Sequence, residues 1–148
     1  MARNNNLRIL FEEYIDNMDL TEEQLEFLIK QYLDENTIIG IHNTFFEYSS
    51  FFENGLYNQT YLGQNSQDLS NTVFYSDNFA AIMCYPNGEG QIRGETSIVL
   101  KIPKKVFLKE QGIFEVLPNG RYGIPTQFIV GALENGKVVE NQLYNPNY

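Results

Sequence analysis

The chain has 148 residues, of which 43% are hydrophobic and 14% aromatic, and this composition suits one globular domain with a sizeable core. No apolar run approaches the roughly 20 residues that cross a bilayer, and residues 1–6 lack the apolar stretch of a secretion signal. We therefore expect a soluble, cytoplasmic protein without a membrane partner.

The net charge of the chain is −9, and a protein this acidic repels the phosphate backbone of a nucleic acid. Residues 1–37 hold nine of the nineteen acidic residues but only three of the ten basic ones. This acidic surface is either a solvated helix face or a docking face for a basic protein partner. One cysteine and one histidine predict neither an internal disulfide nor a zinc site, so no metal is expected.

Two helices are predicted before residue 37. The first has apolar residues at helical spacing over residues 7–14, and the second begins after Thr21, which can form a capping box with Gln24. The second helix carries one apolar stripe, made by Leu25, Leu28, Ile29, Tyr32 and Leu33. We interpret residues 1–36 as an acidic N-terminal helical extension and residues 37–148 as the main domain.

A strand, a helix and a long loop are predicted next. Residues 37–42 are a β-branched apolar run, typical of a strand that is buried on both faces. Residues 45–54 predict a short helix that is closed by Gly55, since glycine accepts the left-handed conformation common after helix ends. Residues 58–71 are rich in Asn, Gln, Ser and Gly, and they predict a loop long enough to be functional.

The second half of the chain is predicted to be mostly strands. A short strand at residues 73–75 precedes a helix that begins at Ser76 or Asp77 and runs to Tyr85. Further strands are predicted at 97–102, around Phe107, at 114–117, at 127–133 and, after an Asn-Gly hairpin turn, at 138–139. Helices followed by strands, without βαβ alternation, indicate an α+β fold.

Individual residues of catalytic type allow weaker interpretations. Glu95 and Glu115 could be a glycosidase pair, but any acidic chain contains such pairs. Cys84 could be a thiol nucleophile with His42 as its base, although its apolar neighbours favour a packed core cysteine. His42 ends an apolar strand, where side chains open into clefts, yet taken alone it favours a structural role. The sequence contains no Walker-type or dinucleotide glycine loop.

Three short segments form an ordered set along the chain. The first is Ile-His-Asn-Thr at residues 41–44, with Gly-Leu at 55–56 after the predicted helix. The second is Val-Phe-Tyr-Ser-Asp at 73–77 with Tyr85 behind it, and the third is Gln-Phe-Ile-Val at 127–130. In order and spacing the set resembles the diphtheria-toxin-like and poly(ADP-ribose) polymerase-like ADP-ribosyltransferases. The resemblance implies a split antiparallel β-sheet core, preceded here by the N-terminal helical pair.

The resemblance also implies an NAD site. His42 and Thr44 would bind the ribose of the nicotinamide half of NAD, and Tyr85 would stack on the nicotinamide ring. The backbone at Gly40 would hold the carboxamide, because a peptide offers the donor and the acceptor that an amide needs. NAD would be the substrate, and no metal would take part.

Three positions depart from the family. Gln127 stands where the family has a glutamate beside the reacting ribose carbon, and an amide carries no charge to stabilise that centre. Phe74 replaces the usual tyrosine of the second motif, and Tyr75 substitutes for it only if the strand register shifts by one residue. Ile82 stands where a serine often contacts nicotinamide. The candidate catalytic residues are thus His42, Gln127 and Tyr75, with Phe74 in the NAD pocket.

The implied activity is mono-ADP-ribosylation of a macromolecule, as in a bacterial or phage toxin or effector that is delivered into a host cytoplasm. A protein is expected as the acceptor rather than a nucleic acid. The alternative is a catalytically silent domain of the same fold that binds NAD, ADP-ribose or a protein partner. Gln127 and Phe74 motivate this alternative, because they replace two polar anchors of the family.

Overall fold

The structure of the protein is a computed structural model that describes residues 20–44, 46–57, 72–76, 79–82, 96–106 and 123–147. In chain order its bounded elements are α1 (Glu22–Tyr32), β1 (Thr37–Thr44), α2 (Tyr48–Asn54), β2 (Leu56–Tyr57), β3 (Thr72–Ser76), β4 (Phe79–Ile82), β5 (Thr96–Pro103), β6 (Gly123–Ile124), a 3-10 helix (Thr126–Phe128), β7 (Ile129–Glu134) and β8 (Lys137–Glu140). The fold is α+β, as the sequence predicts.

The main sheet has the strand order β3-β4-β1-β5-β7-β8, and β2 and β6 form a separate two-stranded sheet. Strands β1, β5, β7 and β8 are antiparallel to their neighbours in this series. The other side of β1 differs from the expected antiparallel sheet, because β4 runs parallel to β1. A parallel pair needs a long crossover connection, and the residues between β1 and β4, which include α2 and β2, provide it.

The predicted helix from Ser76 or Asp77 to Tyr85 is wrong over residues 79–82. These residues form β4, which pairs with β1 on one side and with β3 on the other. An uninterrupted apolar run such as Phe-Ala-Ala-Ile suits a buried strand as well as a buried helix, and periodicity cannot separate the two. Strand pairing on both sides, together with complete burial of Phe79, favours the strand here. Tyr85 lies outside the described residues.

The capping box of α1 is confirmed. The Thr21 hydroxyl accepts a hydrogen bond from the Gln24 N–H at 3.3 Å, and the Thr21 N–H donates to Oε1 of Gln24 at 3.0 Å. These two bonds pair donors that a helix start otherwise leaves without an intrahelical partner. The second predicted helix therefore begins where its local chemistry indicates, whereas the predicted helix at 7–14 lies outside the described residues.

The helix α2 is shorter than predicted, since it begins at Tyr48 instead of residue 45. It ends at Gly55, as expected, and the φ of Gly55 is 82°, in the region that favours glycine. A Cβ at this position would lie 2.6 Å from the carbonyl oxygen of Ile124 in β6. Gly55 thus permits the chain to turn from α2 into the small sheet. The predicted loop at 58–71 and the predicted strands around Phe107 and at 114–117 lie outside the described residues.

The main sheet buries apolar side chains on both faces. On the first, here called the α1 face, the cluster contains Leu25, Leu28, Ile39, Ile41, Phe79, Val99 and Leu133. On the second, the α2 face, it contains Ile38, Phe51, Leu56, Ile98, Leu100, Ile102, Ile124, Phe128, Ile129 and Ala132. Each leucine that α1 buries stabilises the fold by about 1.5–3 kcal/mol. The described part of the N-terminal segment, 20–36, therefore packs against the sheet of the main domain.

Candidate functional site

His42 lies near the end of β1, on the α2 face of the sheet. Its ring is partly buried and packs against Phe51 of α2, with 5.9 Å between the ring centroids and an interplanar angle of 59°. Such a tilted contact is a favourable arrangement of two aromatic rings. The helix α2 thus supports the imidazole from one side and limits the directions in which it can point.

A row of three polar residues crosses the sheet beyond His42. Thr44 of β1 pairs with Thr96 of β5, and Thr96 pairs with Glu134 of β7. The Thr96 hydroxyl donates a hydrogen bond of 2.8 Å to Oε1 of Glu134. We call these three residues the polar row. Both threonines are almost fully buried, while Glu134 remains partly exposed.

The polar row lies on the same face as His42. Ile98 and Ala132 pair with each other and belong to the cluster of the α2 face. Thr96 and Glu134 are each two residues from one of them, and the two-residue period of a strand returns side chains to the same face. The structure therefore brings His42 and the polar row together at one end of the sheet, which we call the sheet-end site.

The connection from β1 to α2 borders the sheet-end site. Thr44 Oγ1 accepts a hydrogen bond of 3.1 Å from the backbone N–H of Phe46. This bond gives the buried threonine a partner, as a buried hydroxyl requires. The Phe46 side chain is 49% exposed, which is unusual for so large an apolar group. An exposed aromatic side chain beside polar groups can contribute stacking area to a planar ligand.

The hairpin that follows Glu134 is held by α1. Its two turn residues, Asn135 and Gly136, have φ values of 53° and 73°, as the Asn-Gly hairpin signal predicts. The Thr21 hydroxyl donates to the carbonyl oxygen of Gly136 at 2.8 Å, and the buried Gln24 amide donates to that of Lys137 at 3.2 Å. The start of α1 thereby fixes the end of β7.

Gln127 occupies a different place from the predicted one. The sequence predicts a strand over 127–133, but Gln127 lies in the 3-10 helix and β7 begins only at Ile129. Ile129 pairs with Leu100, and Leu100 pairs with Gly40, so these three residues form one row across the sheet. Because β1 and β7 are both antiparallel to β5, they run in the same direction. Gln127 precedes this row and His42 follows it, so the two residues lie on opposite sides of the row. Two interstrand spacings, about 10 Å in total, also separate β7 from β1. The structure thus separates Gln127 from His42.

The side chain of Gln127 is used by the C-terminal segment. The Gln127 side-chain amide donates to the backbone carbonyl oxygen of Asn147 at 2.6 Å and to that of Asn145 at 3.3 Å. The backbone carbonyl of Gln127 accepts from the Asn145 N–H at 2.8 Å. Nearby, Asn141 donates to the backbone oxygens of Thr126 and Ile129. Gln127 therefore has a structural role in holding Asn145 and Asn147, and Asn141 holds the start of the same segment.

Of the other predicted site residues, the structure describes Gly40, Phe74 and Tyr75, and these three lie outside the sheet-end site. Gly40 is in the middle of β1, between Leu100 of β5 and Ala80 of β4, so a carboxamide contact there would have to replace sheet hydrogen bonds. Phe74 and Tyr75 lie on β3, which β4 separates from β1. The pairing of β3 with β4 shifts at Tyr75. Tyr85 is outside the described residues.

In the part of the chain that the structure describes, no group of three or more His, Cys, Asp or Glu side chains could hold a metal ion. No helix in the same part of the chain has the length and apolar character that crossing a membrane requires.

Comparison of the chain with protein-family models, with curated proteins and with solved structures found no match. Sequence reasoning identified His42 and Thr44 in this site but missed Thr96 and Glu134. The available signal was weak: Glu134 directly precedes the Asn-Gly turn, which places an acidic residue at a strand end.

Proposed function

We propose that the chain binds NAD at the sheet-end site and transfers its ADP-ribose to a macromolecule. The observation that carries this proposal is the convergence of His42 with Thr44, Thr96 and Glu134 at one end of the sheet. An imidazole both donates and accepts hydrogen bonds, and a carboxylate accepts them. Together these groups match the neighbouring hydroxyls of a ribose.

Partial burial suits the sheet-end site for a sugar ligand. His42 and Glu134 are partly exposed, whereas Thr44 and Thr96 are nearly fully buried and support the site from below. Hydrogen bonds at such a boundary gain strength from reduced solvent competition. Within this arrangement His42 would contact the ribose, and the exposed Phe46 ring could cover a planar ring of the ligand.

The acceptor is proposed to be a protein that carries basic surface groups, as a toxin or effector target would. The net charge of −9 attracts such a partner and repels nucleic acid. In α1 the acidic residues Glu22 and Glu23 lie in the first turn and are exposed. This exposed acidic end lies at the helix start that contacts the hairpin after Glu134, so a partner held there would be at the same end of the sheet as the site, on its opposite face.

A second candidate is a domain that binds NAD or ADP-ribose without cleaving it. The specific observation in its favour is the position of Gln127, whose amide holds the C-terminal segment instead of facing His42. A site without a carboxylate at the family position binds a sugar but stabilises a positively charged ribose poorly. Binding and cleavage therefore have to be measured separately.

Incubation of the full chain with NAD labelled in the adenylate group, with and without a cell lysate, tests the proposal. We expect labelled protein and released nicotinamide, both lost in His42→Ala. Glu140→Gln serves as the matched control, because Glu140 is exposed on β8 outside the site. Thermal unfolding of each variant checks the fold. Calorimetric NAD binding without nicotinamide release would favour the second candidate, and the absence of both would refute each of them.

A further inference from the structure

We propose that Asn135 is a site of spontaneous deamidation, and that the isoaspartate formed there releases the β7–β8 hairpin from α1. The tripeptide Glu-Asn-Gly occurs twice in the described residues, at 53–55 and at 134–136. In an Asn-Gly pair the glycine nitrogen can attack the asparagine side chain, because glycine has no Cβ to obstruct the approach. The two tripeptides are identical, so a difference in reactivity between them has to come from the structure around them.

The second tripeptide leaves both reacting groups accessible. Asn135 is exposed and Gly136 is half-buried at the tip of the hairpin. Positive φ values at both residues define a type I′ turn, whose hydrogen bond joins the flanking residues Glu134 and Lys137. The Gly136 N–H forms no hydrogen bond with any residue that the structure describes. This nitrogen can therefore lose its proton to solvent base without first breaking a hydrogen bond.

The first tripeptide holds the same groups in place. The Gly55 N–H donates a hydrogen bond of 2.8 Å to the carbonyl oxygen of Phe51, and Gly55 is buried. The Asn54 side-chain amide donates to the carbonyl oxygen of Ser50 at 3.0 Å. Ring closure at Asn54 would have to break both bonds and to move the backbone of Gly55, which is packed against β6. We therefore expect Asn54 to be protected and Asn135 to react.

The first step of the reaction closes a five-membered ring. The Gly136 nitrogen loses its proton to solvent base, and its electron pair forms a bond to Cγ of Asn135. The bond from Cγ to the side-chain nitrogen then breaks. This nitrogen takes up one proton and leaves as ammonia, so a succinimide remains between the two residues. The step changes no oxidation state and needs no cofactor.

The second step opens the ring with water. The water oxygen bonds to one of the two imide carbonyl carbons, the bond from that carbon to the Gly136 nitrogen breaks, and the nitrogen regains a proton. Attack at the side-chain carbonyl gives aspartate, whereas attack at the backbone carbonyl gives isoaspartate. In isoaspartate the main chain runs through Cβ and Cγ, which adds one carbon to its length. Either product replaces a neutral amide with a carboxylate beside Glu134.

The extra carbon lies where the hairpin is fixed to α1. The Thr21 hydroxyl donates to the carbonyl oxygen of Gly136, and the Gln24 amide donates to that of Lys137. A two-residue turn has no spare length, so isoaspartate cannot keep the pairing of Glu134 with Lys137 and these two bonds together. Before the reaction, the same bonds restrain the turn and slow its opening. Thr21 thus controls how fast Asn135 is converted.

Peptide mapping by mass spectrometry, after incubation of the folded full chain at mildly alkaline pH, tests the proposal. We expect Asn135 to be converted to aspartate and isoaspartate while Asn54 stays unchanged. In urea both tripeptides are released from the fold, and both should react at similar rates. Thr21→Ala should accelerate conversion of Asn135 about fivefold, the factor by which loss of one helix cap favours the open turn. Thr21→Ser, which keeps the hydroxyl, is the matched control.

The outcomes are decisive for each part of the proposal. Conversion of Asn54 as fast as that of Asn135 in the folded chain, or conversion of Asn135 in urea only, overturns the assignment of the site. Equal rates in folded Thr21→Ala and Thr21→Ser overturn the control by Thr21. Isoaspartate-containing chain should unfold at lower urea concentration than Asn135→Asp, which carries the charge without the extra carbon. Equal unfolding midpoints would overturn release of the hairpin.

Discussion

Thr96 and Glu134 are joined by a hydrogen bond between neighbouring strands, with 2.8 Å from Oγ1 to Oε1. Thr96 is 3% exposed, so its hydroxyl needs a partner within the protein. Thr96→Val keeps the shape of the side chain and removes the bond. We expect a loss of about 1–2 kcal/mol in the free energy of unfolding, measured with urea. Thr96→Ser retains the hydroxyl and should lose less, and equal losses in the two variants would contradict a hydrogen-bond origin.

Thr21 connects the start of α1 to the hairpin that carries Glu134. Its hydroxyl accepts from the Gln24 N–H and donates to the carbonyl oxygen of Gly136. Thr21→Ala removes both bonds, so we expect a loss of about 1–2 kcal/mol in urea unfolding. Thr21→Ser keeps the hydroxyl and should remain within about 0.5 kcal/mol of the wild type. A Thr21→Ala variant as stable as Thr21→Ser would show that neither bond contributes measurably.

Gln127→Glu restores the acidic residue of the resembled family but should not restore its chemistry here. A carboxylate cannot donate to the carbonyl oxygens of Asn145 and Asn147, which the amide now holds. We expect the loss of these side-chain bonds to loosen the segment, with faster hydrogen exchange at the Asn145 N–H, which donates to the backbone carbonyl of Gln127, and no rise in nicotinamide release. Gln142→Glu, an exposed change in the same segment, is the control. A tenfold rise in release by Gln127→Glu would instead place Gln127 in the site.

Tyr144 should make the stability of the protein fall at alkaline pH. Burial raises the pKa of Tyr144 above its ordinary value of 10.0, and the nearby Asp34 carboxylate raises the pKa further. The folded state thus holds the phenol proton more tightly than the unfolded state does. The resulting stability is fully present below about pH 10 and is lost as the pH rises through the folded-state pKa.

Urea unfolding between pH 8 and 11 measures this effect. The decline in the free energy of unfolding should be shallower in Tyr144→Phe than in the wild type. Asp34→Asn should reduce the decline by a smaller amount, because burial is the larger cause. Identical slopes in the wild type and Tyr144→Phe would mean that Tyr144 does not contribute to the alkaline decline.

The sequence predicted the elements whose signals are local. The capping box at Thr21 involves residues three apart, and the Asn-Gly turn needs only its own two residues, so both are visible in the chain. The strand β4 was mistaken for a helix because its apolar run has no periodicity. Its state is decided by β1 and β3, which lie on either side of it.

The candidate site was only partly predictable, because it depends on contacts between distant residues. Gln127 is displaced from β7 by a 3-10 helix that Pro125 begins and that Thr126 ties to the backbone oxygen of Phe52 at 2.7 Å. Glu134 lies in the site because of the register between β5 and β7, which includes an irregularity between Val99 and Leu100. A strand register is set by the whole sheet, and a shift of one residue would turn each side chain to the other face.

Titration of the full chain with NAD, followed by the NMR signals of the imidazole, tests the central claim most directly. His42 is the only histidine, so its ring signals report on the sheet-end site without assignment against other histidines. We expect these signals to shift saturably with NAD in the wild type and in Glu140→Gln, and to shift with weaker affinity or smaller amplitude in Thr44→Val. Ring signals that stay unchanged up to millimolar NAD would contradict an NAD site built on His42.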